Sequence, residues 1–319
     1  MEDLKNPRSD ASSTVEWPEH KAEGWDILDL SDYPLKKPSV EQKTRIELMN
    51  NGMLLINQWH SRPDDFVQTE SQLVSVGKYL GGNEKMQVDN YNISLFPVAA
   101  DALMEAVNAA KEAGQTHYII TEGYRSYDKQ NEMFQEKKKK LASKYTNEEA
   151  LIEATMKEVN FPGTSEFNSG LSFTLRLYDK SDATVGAAKY STTEQAAWMN
   201  ENCWKYGLIF RFPQAQWPLP DTLDKSQKTG VSLKLNLYRY VGKGNAAFMH
   251  YLDMCLEEYI EYLHEHPHLA LYEDNELKCE VFCQPVGDAD TFLIQLTPAA
   301  SYVSSLDNMG YVITVFDHQ

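Results

Sequence analysis

The chain has 319 residues, of which 42% are hydrophobic and 11% aromatic, and this is enough for one sizeable core and a smaller attached unit. Its formal net charge of -17 repels a phosphate backbone or an anionic lipid surface, so we expect no nucleic-acid partner. No run approaches the roughly 18 to 20 apolar residues that a membrane span requires. The first ten residues lack the apolar core of a secretory signal, so we expect a soluble chain whose export segment, if there is one, is absent from this sequence.

The N-terminal part of the chain is predicted to be irregular. Residues 1–24 are polar and unpatterned, which is typical of a tail or linker. Residues 25 to about 90 mix short apolar runs with Pro, Gly and Asn. This mixture predicts an irregular wrap with a few short strands.

A core helix, a short buried strand and surface helices are predicted next. Pro97 suits a first helical turn and Gly114 suits a C-terminal end, and apolar residues recur at helical spacing between them. The run HYIIT predicts a buried strand that leads into the sequence GYRS. The polar segment from residue 127 to about 159 predicts one or two surface helices.

Three segments of the second half predict strands. In LSFTLRLYD the apolar and polar residues alternate, which places Ser172, Thr174 and Arg176 on one face of a strand and apolar residues on the other. LKLNLYRYV alternates in the same way, and LIFRF is a short apolar run. We therefore expect these segments to contribute to one sheet.

Two helices are predicted in the same half. Ser191 and Glu194 have the spacing of a capping box, and they predict a helix that ends at Gly207. The apolar spacing from residue 248 to residue 263 predicts one amphipathic helix that ends at Pro267.

The character of the sequence changes near residue 269. Short β-type runs separated by turn residues predict a small β-rich unit of about 50 residues. Helices followed by segregated strands predict an α+β fold. We therefore expect a tail over 1–24, a main domain over 25–268 and a β-rich unit over 269–319.

The four cysteines predict no metal site, because none has a partner at zinc-finger spacing. Cys279 and Cys283 lie four residues apart in a predicted strand, roughly 13 Å from each other and beyond the reach of a disulfide. Cys203 and Cys255 lie on apolar helical stripes, where buried thiols are usual. A bridge between those two stays open.

Five short stretches follow one another in a fixed order and carry a family resemblance. They are GYRSYDKQ (123–130), PGTSEFNSGLSFT (162–174), AAWMNENCWKYGLIFRFP (196–213), LKLNLYRYVG (233–242) and CLEEYIEYL (255–263). Together they resemble the VanY-type D-alanyl-D-alanine carboxypeptidases, zinc peptidases that trim the terminal D-alanine from peptidoglycan stem peptides. The resemblance runs from residue 96 to about residue 263 and implies a VanY or hedgehog-type peptidase domain, in which helices pack on an antiparallel sheet.

The resemblance also implies a zinc ion held by a histidine, an aspartate and a second histidine, with a glutamate as general base. The three ligand positions hold Phe167, Thr174 and Leu237 in this sequence, and the position of the base holds Lys234. Phenylalanine and leucine have no donor atom, and a threonine hydroxyl is a poor zinc ligand. A lysine ammonium has no acceptor and cannot take a proton from water. We therefore expect no catalytic residues, no metal and no cofactor at these positions.

No histidine replaces the missing ligands within the motifs. His264, His266 and His268 alternate around Pro267 at a predicted helix end. Such a cluster could capture a metal ion weakly, but an exposed group that interacts with the helix dipole is the stronger interpretation. We assign no metal site to it.

Several polar residues of the motifs remain and predict a binding pocket without a metal. By analogy with the active relatives, Arg125 stabilises charge on the carbonyl oxygen and Ser165 helps to hold the peptide. Arg176 shares a strand face with the former aspartate position, so we expect it to point toward the former metal. Gln130 and Lys234 complete the predicted ligand-binding set. Its positive charge predicts binding of a peptide carboxylate, such as the C-terminus of a peptidoglycan stem peptide, without cleavage.

Four hypotheses follow. The first is a degenerate carboxypeptidase homologue, extracytoplasmic or cell-wall associated, that binds stem peptide or acts as a scaffold. In the second, Phe167 and Leu237 fill the cavity and Arg125 pairs with Glu166 or Glu122, so that no pocket is left. The third is an active peptidase that uses a displaced metal or an unusual mechanism. In the fourth, the N-terminal wrap and the β-rich unit are protein-interaction surfaces.

Overall fold

The computed structural model describes residues 16–82 and 86–318, which form an α+β fold. Residues 1–15 of the predicted tail lie outside this range. The strands are β1 (Trp25–Asp29), β2 (Ser39–Thr44), β3 (Val74–Ser75), β4 (Gln87–Val88), β5 (Ser94–Leu95), β6 (Tyr118–Glu122), β7 (Ser172–Leu177), β8 (Leu208–Phe210), β9 (Leu237–Tyr240), β10 (His268–Glu273), β11 (Glu276–Pro285), β12 (Thr291–Leu296), β13 (Ser301–Leu306) and β14 (Tyr311–Asp317).

Helices connect these strands and cover their faces. The α-helices are α1 (Arg45–Met49), α2 (Val76–Tyr79), α3 (Pro97–Glu112), α4 (Tyr127–Leu141), α5 (Glu148–Met156), α6 (Ala183–Ala187), α7 (Glu194–Asn202), α8 (Ser226–Thr229), α9 (Lys243–Tyr251) and α10 (Leu256–Glu265). Short 3-10 helices lie at Asp64–Gln72, Ala142–Lys144, Glu166–Ser169, Tyr190–Thr192 and Cys203–Tyr206. No helix within the described residues is both long and apolar enough to cross a bilayer.

The central sheet has the strand order β4-β6-β7-β9-β8, and its pairs are antiparallel except for β4 with β6. Helix α3 packs against this sheet through Ala99 and Leu103, which share a core with Phe173 and Tyr238 of the strands. The residues of the neighbouring strands β6, β7 and β9 therefore lie side by side, and this arrangement positions the candidate site.

The second sheet has the order β1-β10-β11-β14-β13, and all of its neighbours are antiparallel. Strand β2 pairs with β12 in a separate two-stranded sheet. Helices α9 and α10 cover the second sheet, where Phe248 and Tyr259 pack with Val281 and Ile313. Strands from residues 25–44 thus pair with strands from the C-terminal 50 residues.

Most of the predicted elements are confirmed. Helix α3 begins at the predicted proline, and Gly114 follows its end with a left-handed φ of 82°. The strand at HYIIT is β6, and the polar segment after it forms α4 and α5. All four cysteines are buried and free, so the bridge between Cys203 and Cys255 does not form.

The single amphipathic helix over residues 248–263 was a wrong prediction. The chain turns between α9 and α10 at Asp253, which has a left-handed φ of 50°. A new helix then begins after Cys255, whose backbone N–H donates to the Glu258 carboxylate at 3.1 Å. Apolar spacing alone could not reveal the break, because both helices present their apolar residues to the same core.

Two other predicted boundaries were also wrong. The N-terminal cap of α7 is Thr193, whose side chain accepts from the backbone N–H of Ala196, because Ser191 is taken up in the 3-10 turn before it. LKLNLYRYV forms a strand only over Leu237–Tyr240, the part that pairs with both β7 and β8. Lys234 therefore lies in the loop before β9.

A buried ion network joins the motif segments inside this frame. Glu166 accepts from Arg211 Nε at 2.7 Å, from Arg239 Nη1 at 2.5 Å and from the hydroxyl of Ser172 at 2.6 Å. Arg211 also donates to both oxygens of Glu257, at 2.9 and 2.7 Å. Both arginine side chains are fully buried. Two positive and two negative charges balance, so no buried charge is left without a partner.

The second arginine extends the network to the N-terminal wrap. Arg239 Nη2 donates to the carbonyl oxygens of Gly52 and Leu54, at 2.7 and 2.8 Å. The network therefore connects the segment before β7, the end of β8, strand β9, helix α10 and residues near 52 in one set of charge-assisted hydrogen bonds.

We predict that Glu166→Gln lowers the free energy of unfolding by about 3 to 5 kcal/mol, because it leaves two buried guanidinium groups to share the single remaining carboxylate. Urea denaturation of the purified protein measures this loss. The matched control is Glu132→Gln, which breaks an exposed pair with Lys129 and should change stability far less. A loss below about 1 kcal/mol for Glu166→Gln would show that the network contributes little.

The same carboxylate predicts how stability depends on pH. Burial tends to raise the pKa of Glu166, but Arg211 and Arg239 outweigh it and lower the pKa from 4.5 to about 2. Since the pKa is lower in the folded state, the stabilisation is complete above about pH 4.5 and is lost as the pH falls toward 2. The stability difference between the wild type and Glu166→Gln should therefore be constant above pH 5 and shrink below it. A difference that stays constant down to pH 2.5 would contradict this assignment.

Candidate functional site

The register of the central sheet brings three positions of the candidate site together. Glu122 on β6 lies opposite Thr174 on β7, and Thr174 lies opposite Leu237 on β9. Thr174 is buried, and its hydroxyl is 2.8 Å from the hydroxyl of Thr121. The threonine is therefore engaged within the sheet.

Apolar side chains occupy the centre of the site. Phe167, Phe212 and Leu237 form a separate small hydrophobic cluster, and Val231 packs against it. Phe167 is held over the strands because its backbone carbonyl accepts from the N–H of Arg125 at 2.9 Å. Phe167 and Leu237, two of the positions that the resemblance aligns with zinc ligands, thus meet in one apolar floor.

Three charged side chains lie above this floor. Glu122 bridges two cations, since one of its oxygens lies 3.2 Å from Arg125 Nη2 and the other lies 3.2 Å from Lys234 Nζ. Both cations also lie over the Phe167 ring, with Arg125 Cζ at 4.8 Å and Lys234 Nζ at 5.4 Å from its centroid. Cations are attracted to the face of an aromatic ring at such distances. We call Arg125, Glu122 and Lys234 the charged triad.

The buried amide of Gln130 holds Arg125 on the side away from the pocket. Gln130 is fully buried, and its Oε1 accepts from Arg125 Nη1 at 2.8 Å while its Nε2 donates to the carbonyl of Asn160 at 2.6 Å. Asn168 Nδ2 donates to the carbonyl of Arg125 at 2.6 Å. Burial lowers the pKa of Arg125 and the Glu122 carboxylate counteracts this. The guanidinium stays charged, because its ordinary pKa is far above neutrality.

A pocket of about 300 Å³ opens beside the charged triad. Five of the predicted site positions line it together with Glu122, and these are Arg125, Ser165, Phe167, Lys234 and Leu237. The pocket is therefore neither closed by the apolar cluster nor purely apolar. Its wall has two cations and one bridging carboxylate, and its floor is hydrophobic.

Two predicted binding residues lie elsewhere. Gln130 lies behind Arg125 and does not line the pocket. Arg176 was expected to point into the site but does not line the pocket: its Nη2 lies 2.6 Å from Asp89 Oδ1, and both side chains are nearly half exposed. Asp89 directly follows β4, the strand beside β6, so its charge attracts Arg176 toward that edge of the sheet. Alternation predicted the face of the strand correctly but could not predict this partner.

The residues at the predicted ligand positions do not fit a zinc ion. Phe167 and Leu237 offer no donor atom, Thr174 is engaged with Thr121, and Lys234 is paired with Glu122. No group of three or more His, Cys, Asp or Glu residues in the described part of the chain could hold a metal. We therefore assign no step of any reaction to a metal at this site.

His264, His266 and His268 do not form one cluster, because each of them pairs with a different carboxylate. His264 lies 2.7 Å from Asp307, His266 lies 2.5 Å from Asp29, and His268 lies 3.0 Å from Glu280. The expectation that all three are exposed is wrong, because His268 is fully buried. Each histidine therefore contacts a different segment, namely the residue after β13, the end of β1 and strand β11.

Sequence reasoning missed two features of the site. Phe212 belongs to the apolar floor, and its place directly after Arg211 in a motif was the available signal. Glu122 was considered only as a partner of Arg125, whereas it also binds Lys234, which is 112 residues away in sequence. No local pattern indicates that second contact.

Comparisons with known proteins agree with this architecture. The family model described as "VanY: D-alanyl-D-alanine carboxypeptidase" matches residues 92–243. A D-alanyl-D-alanine carboxypeptidase of Enterococcus faecium is 30% identical over 274 residues, which cover 86% of this chain and 78% of that protein. A putative carboxypeptidase, YodJ, of Bacillus subtilis (strain 168) is 30% identical over 218 residues, 68% of this chain and 69% of that protein.

Solved structures show the same fold. The vancomycin resistance D,D-dipeptidase VanXYg covers 88% of this chain and 99% of its own, with a TM-score of 0.63 and 22% identity. The LdcB LD-carboxypeptidase covers 65% of this chain and 84% of its own, with a TM-score of 0.50 and 26% identity. Fold, motif order and sequence identity agree, and the chain belongs to the VanY family of D-alanyl-D-alanine carboxypeptidases.

Proposed function

We propose that this protein is a catalytically degenerate member of its family that binds the C-terminal carboxylate of a peptidoglycan stem peptide, or of a similar peptide, without hydrolysing it. The observation that carries the proposal is the pocket itself, in which two cations, Arg125 and Lys234, lie beside side chains that cannot hold a catalytic zinc. We propose an extracytoplasmic or cell-wall location, because its relatives are carboxypeptidases that act on D-alanyl-D-alanine.

The chemistry of the pocket favours binding over cleavage. Hydrolysis of a peptide bond in this family requires an activated water and a group that takes its proton. Lys234 stands at the position of that base, and its ammonium donates hydrogen bonds but accepts none. A carboxylate has the opposite requirement, since it accepts hydrogen bonds from Arg and Lys. The residues at these positions thus suit the end of a peptide better than its scissile bond.

The floor of the pocket complements this charge. Phe167, Phe212 and Leu237 form an apolar surface under the two cations. A small apolar side chain next to a terminal carboxylate, such as the methyl group of D-alanine, would bury against this surface while its carboxylate meets the cations. This combination supports a peptide terminus as the ligand.

We predict that a synthetic stem pentapeptide ending in D-alanyl-D-alanine binds the wild-type protein, and that Arg125→Gln weakens this binding about tenfold or more, because it removes a charged hydrogen-bond donor. Isothermal titration calorimetry measures both affinities. Arg176→Gln is the matched control. It removes an arginine of β7 that does not line the pocket, so this variant should bind like the wild type.

The ligand supplies a second control for the same experiment. A pentapeptide with a C-terminal amide lacks the carboxylate and should bind far more weakly than the free acid. Equal affinity for the amide and the acid, or equal effects of the two arginine variants, would overturn the proposal.

We predict that four substitutions together restore a zinc site: Phe167→His, Thr174→Asp, Lys234→Glu and Leu237→His. The strand register already places 174 and 237 opposite each other, so histidine and aspartate side chains there would converge on one point. Elemental analysis of the dialysed variant should give about one zinc per chain, and the same variant without Leu237→His should retain much less. A folded quadruple variant that binds no zinc would show that these are not the former ligand positions.

A further inference from the structure

We infer that Glu122 is an internal competitor for the ligand carboxylate and lowers the affinity of the pocket for it. This inference rests on the proposed function. It starts from the arrangement of the charged triad, in which one carboxylate of the protein already contacts both cations that the ligand would use.

The contacts of Glu122 resemble those expected of a bound peptide terminus. Its two oxygens are divided between Arg125 Nη2 and Lys234 Nζ, both at 3.2 Å. A ligand carboxylate placed against the same two groups would need the same positions. Two carboxylates cannot share them without strong repulsion, so the ligand binds by exchange with Glu122.

Glu122 is the one carboxylate among the described pocket residues that contacts both cations. Glu158 also lines the pocket but pairs with Lys137. Glu166 lines it as well, but its oxygens belong to the buried ion network. Competition with the ligand is therefore a property of a single residue.

The bridge is weak enough to be displaced. The Glu122 side chain is 41% exposed, and that of Lys234 is 33% exposed. The pair with Lys234 contributes little, because water and salt screen it. The Arg125 side chain is only 17% exposed, so its pair with Glu122 is screened less, but a ligand carboxylate that replaces Glu122 restores the same contact. Once released, Glu122 can turn toward solvent without leaving a buried charge unpaired.

Arg125 remains in place when the bridge opens. Its guanidinium donates to Gln130, its backbone N–H donates to Phe167, and its carbonyl accepts from Asn168. None of these contacts involves Glu122. The cation is thus prepared for a ligand whether or not Glu122 occupies it.

The exchange sets how tightly a ligand can use the two cations. A neutral terminus cannot replace the two ion pairs that Glu122 gives up. A carboxylate restores both pairs, so the two cations again face one carboxylate once Glu122 is solvated. The preference for anions comes from Arg125 and Lys234, and Glu122 lowers the affinity of any ligand that displaces it.

The test compares Glu122→Gln with the wild type for the pentapeptide ending in D-alanyl-D-alanine, by calorimetry at constant ionic strength. We expect the variant to bind about five to ten times more tightly, because the ligand no longer displaces the ion pairs of Glu122 with Arg125 and Lys234. Glu122→Ala should change affinity in the same direction and serves as a second variant. Asp89→Asn removes one negative charge and one arginine partner outside the pocket, and it should bind like the wild type.

Every outcome of this comparison either supports or overturns the inference about Glu122. Tighter binding by the Glu122 variants alone supports the inference, as does binding that is measurable only in those variants. Equal or weaker binding by the Glu122 variants, while the wild type binds, overturns the inference alone and would mean that Glu122 holds the two cations together. An equal gain in Asp89→Asn would reduce the effect to net charge and also overturn it. No binding by any of these proteins would refute the proposed function and the inference with it.

Discussion

The structure depends on one buried set of charges, the network of Glu166, Arg211, Arg239 and Glu257. Removal of any one partner would leave a full charge in an apolar interior, which costs far more than an exposed ion pair contributes. Because the network connects a motif loop, two strands and helix α10, and reaches the carbonyls near residue 52, it constrains segments that are far apart in sequence. These residues therefore cannot change one at a time without a large loss of stability.

Under the proposed function, this constraint accounts for the mixture of retained and altered positions in the family motifs. The glutamate after Ser165, the arginine before Phe212 and the arginine of RYVG belong to the network and remain. Phe167, Thr174, Lys234 and Leu237 lie beside it, and none of them contributes a hydrogen bond to its charged groups. Substitution there would change the chemistry of the pocket without removing a partner of the network.

The sequence could predict the elements whose signals are local. Helix α3 has a proline at its start and a glycine after its end, and β6 is a short apolar run, so both were found. The break at Asp253 depends on a left-handed backbone conformation that no spacing rule detects, and the cap at Thr193 depends on a preceding 3-10 turn. The pairing of β1 with β10 joins residues at least 240 positions apart and likewise has no local signal.

The same distinction between local signals and distant contacts applies to the residues of the site. The family motifs indicated Arg125, Ser165 and Lys234 as residues of one pocket, because the resemblance carries three-dimensional information that periodicity lacks. Arg176 and Gln130 were assigned from their place in a strand or motif, and their partners Asp89 and Arg125 determine where they actually lie. The sequence could not predict charge pairing between distant segments. This pairing determines both the buried ion network and the arrangement of the charged triad in the pocket.

The central claim is that the fold and the buried ion network have been kept, while the residues of the site have been replaced by ones that do not hydrolyse a peptide. Its most direct test is D-alanine release from a stem pentapeptide by the purified protein, measured in the presence of added zinc and again after chelation. The account predicts no release above the background of a heat-treated sample and no zinc retained after dialysis. D-alanine release that zinc supports and chelation abolishes would contradict it.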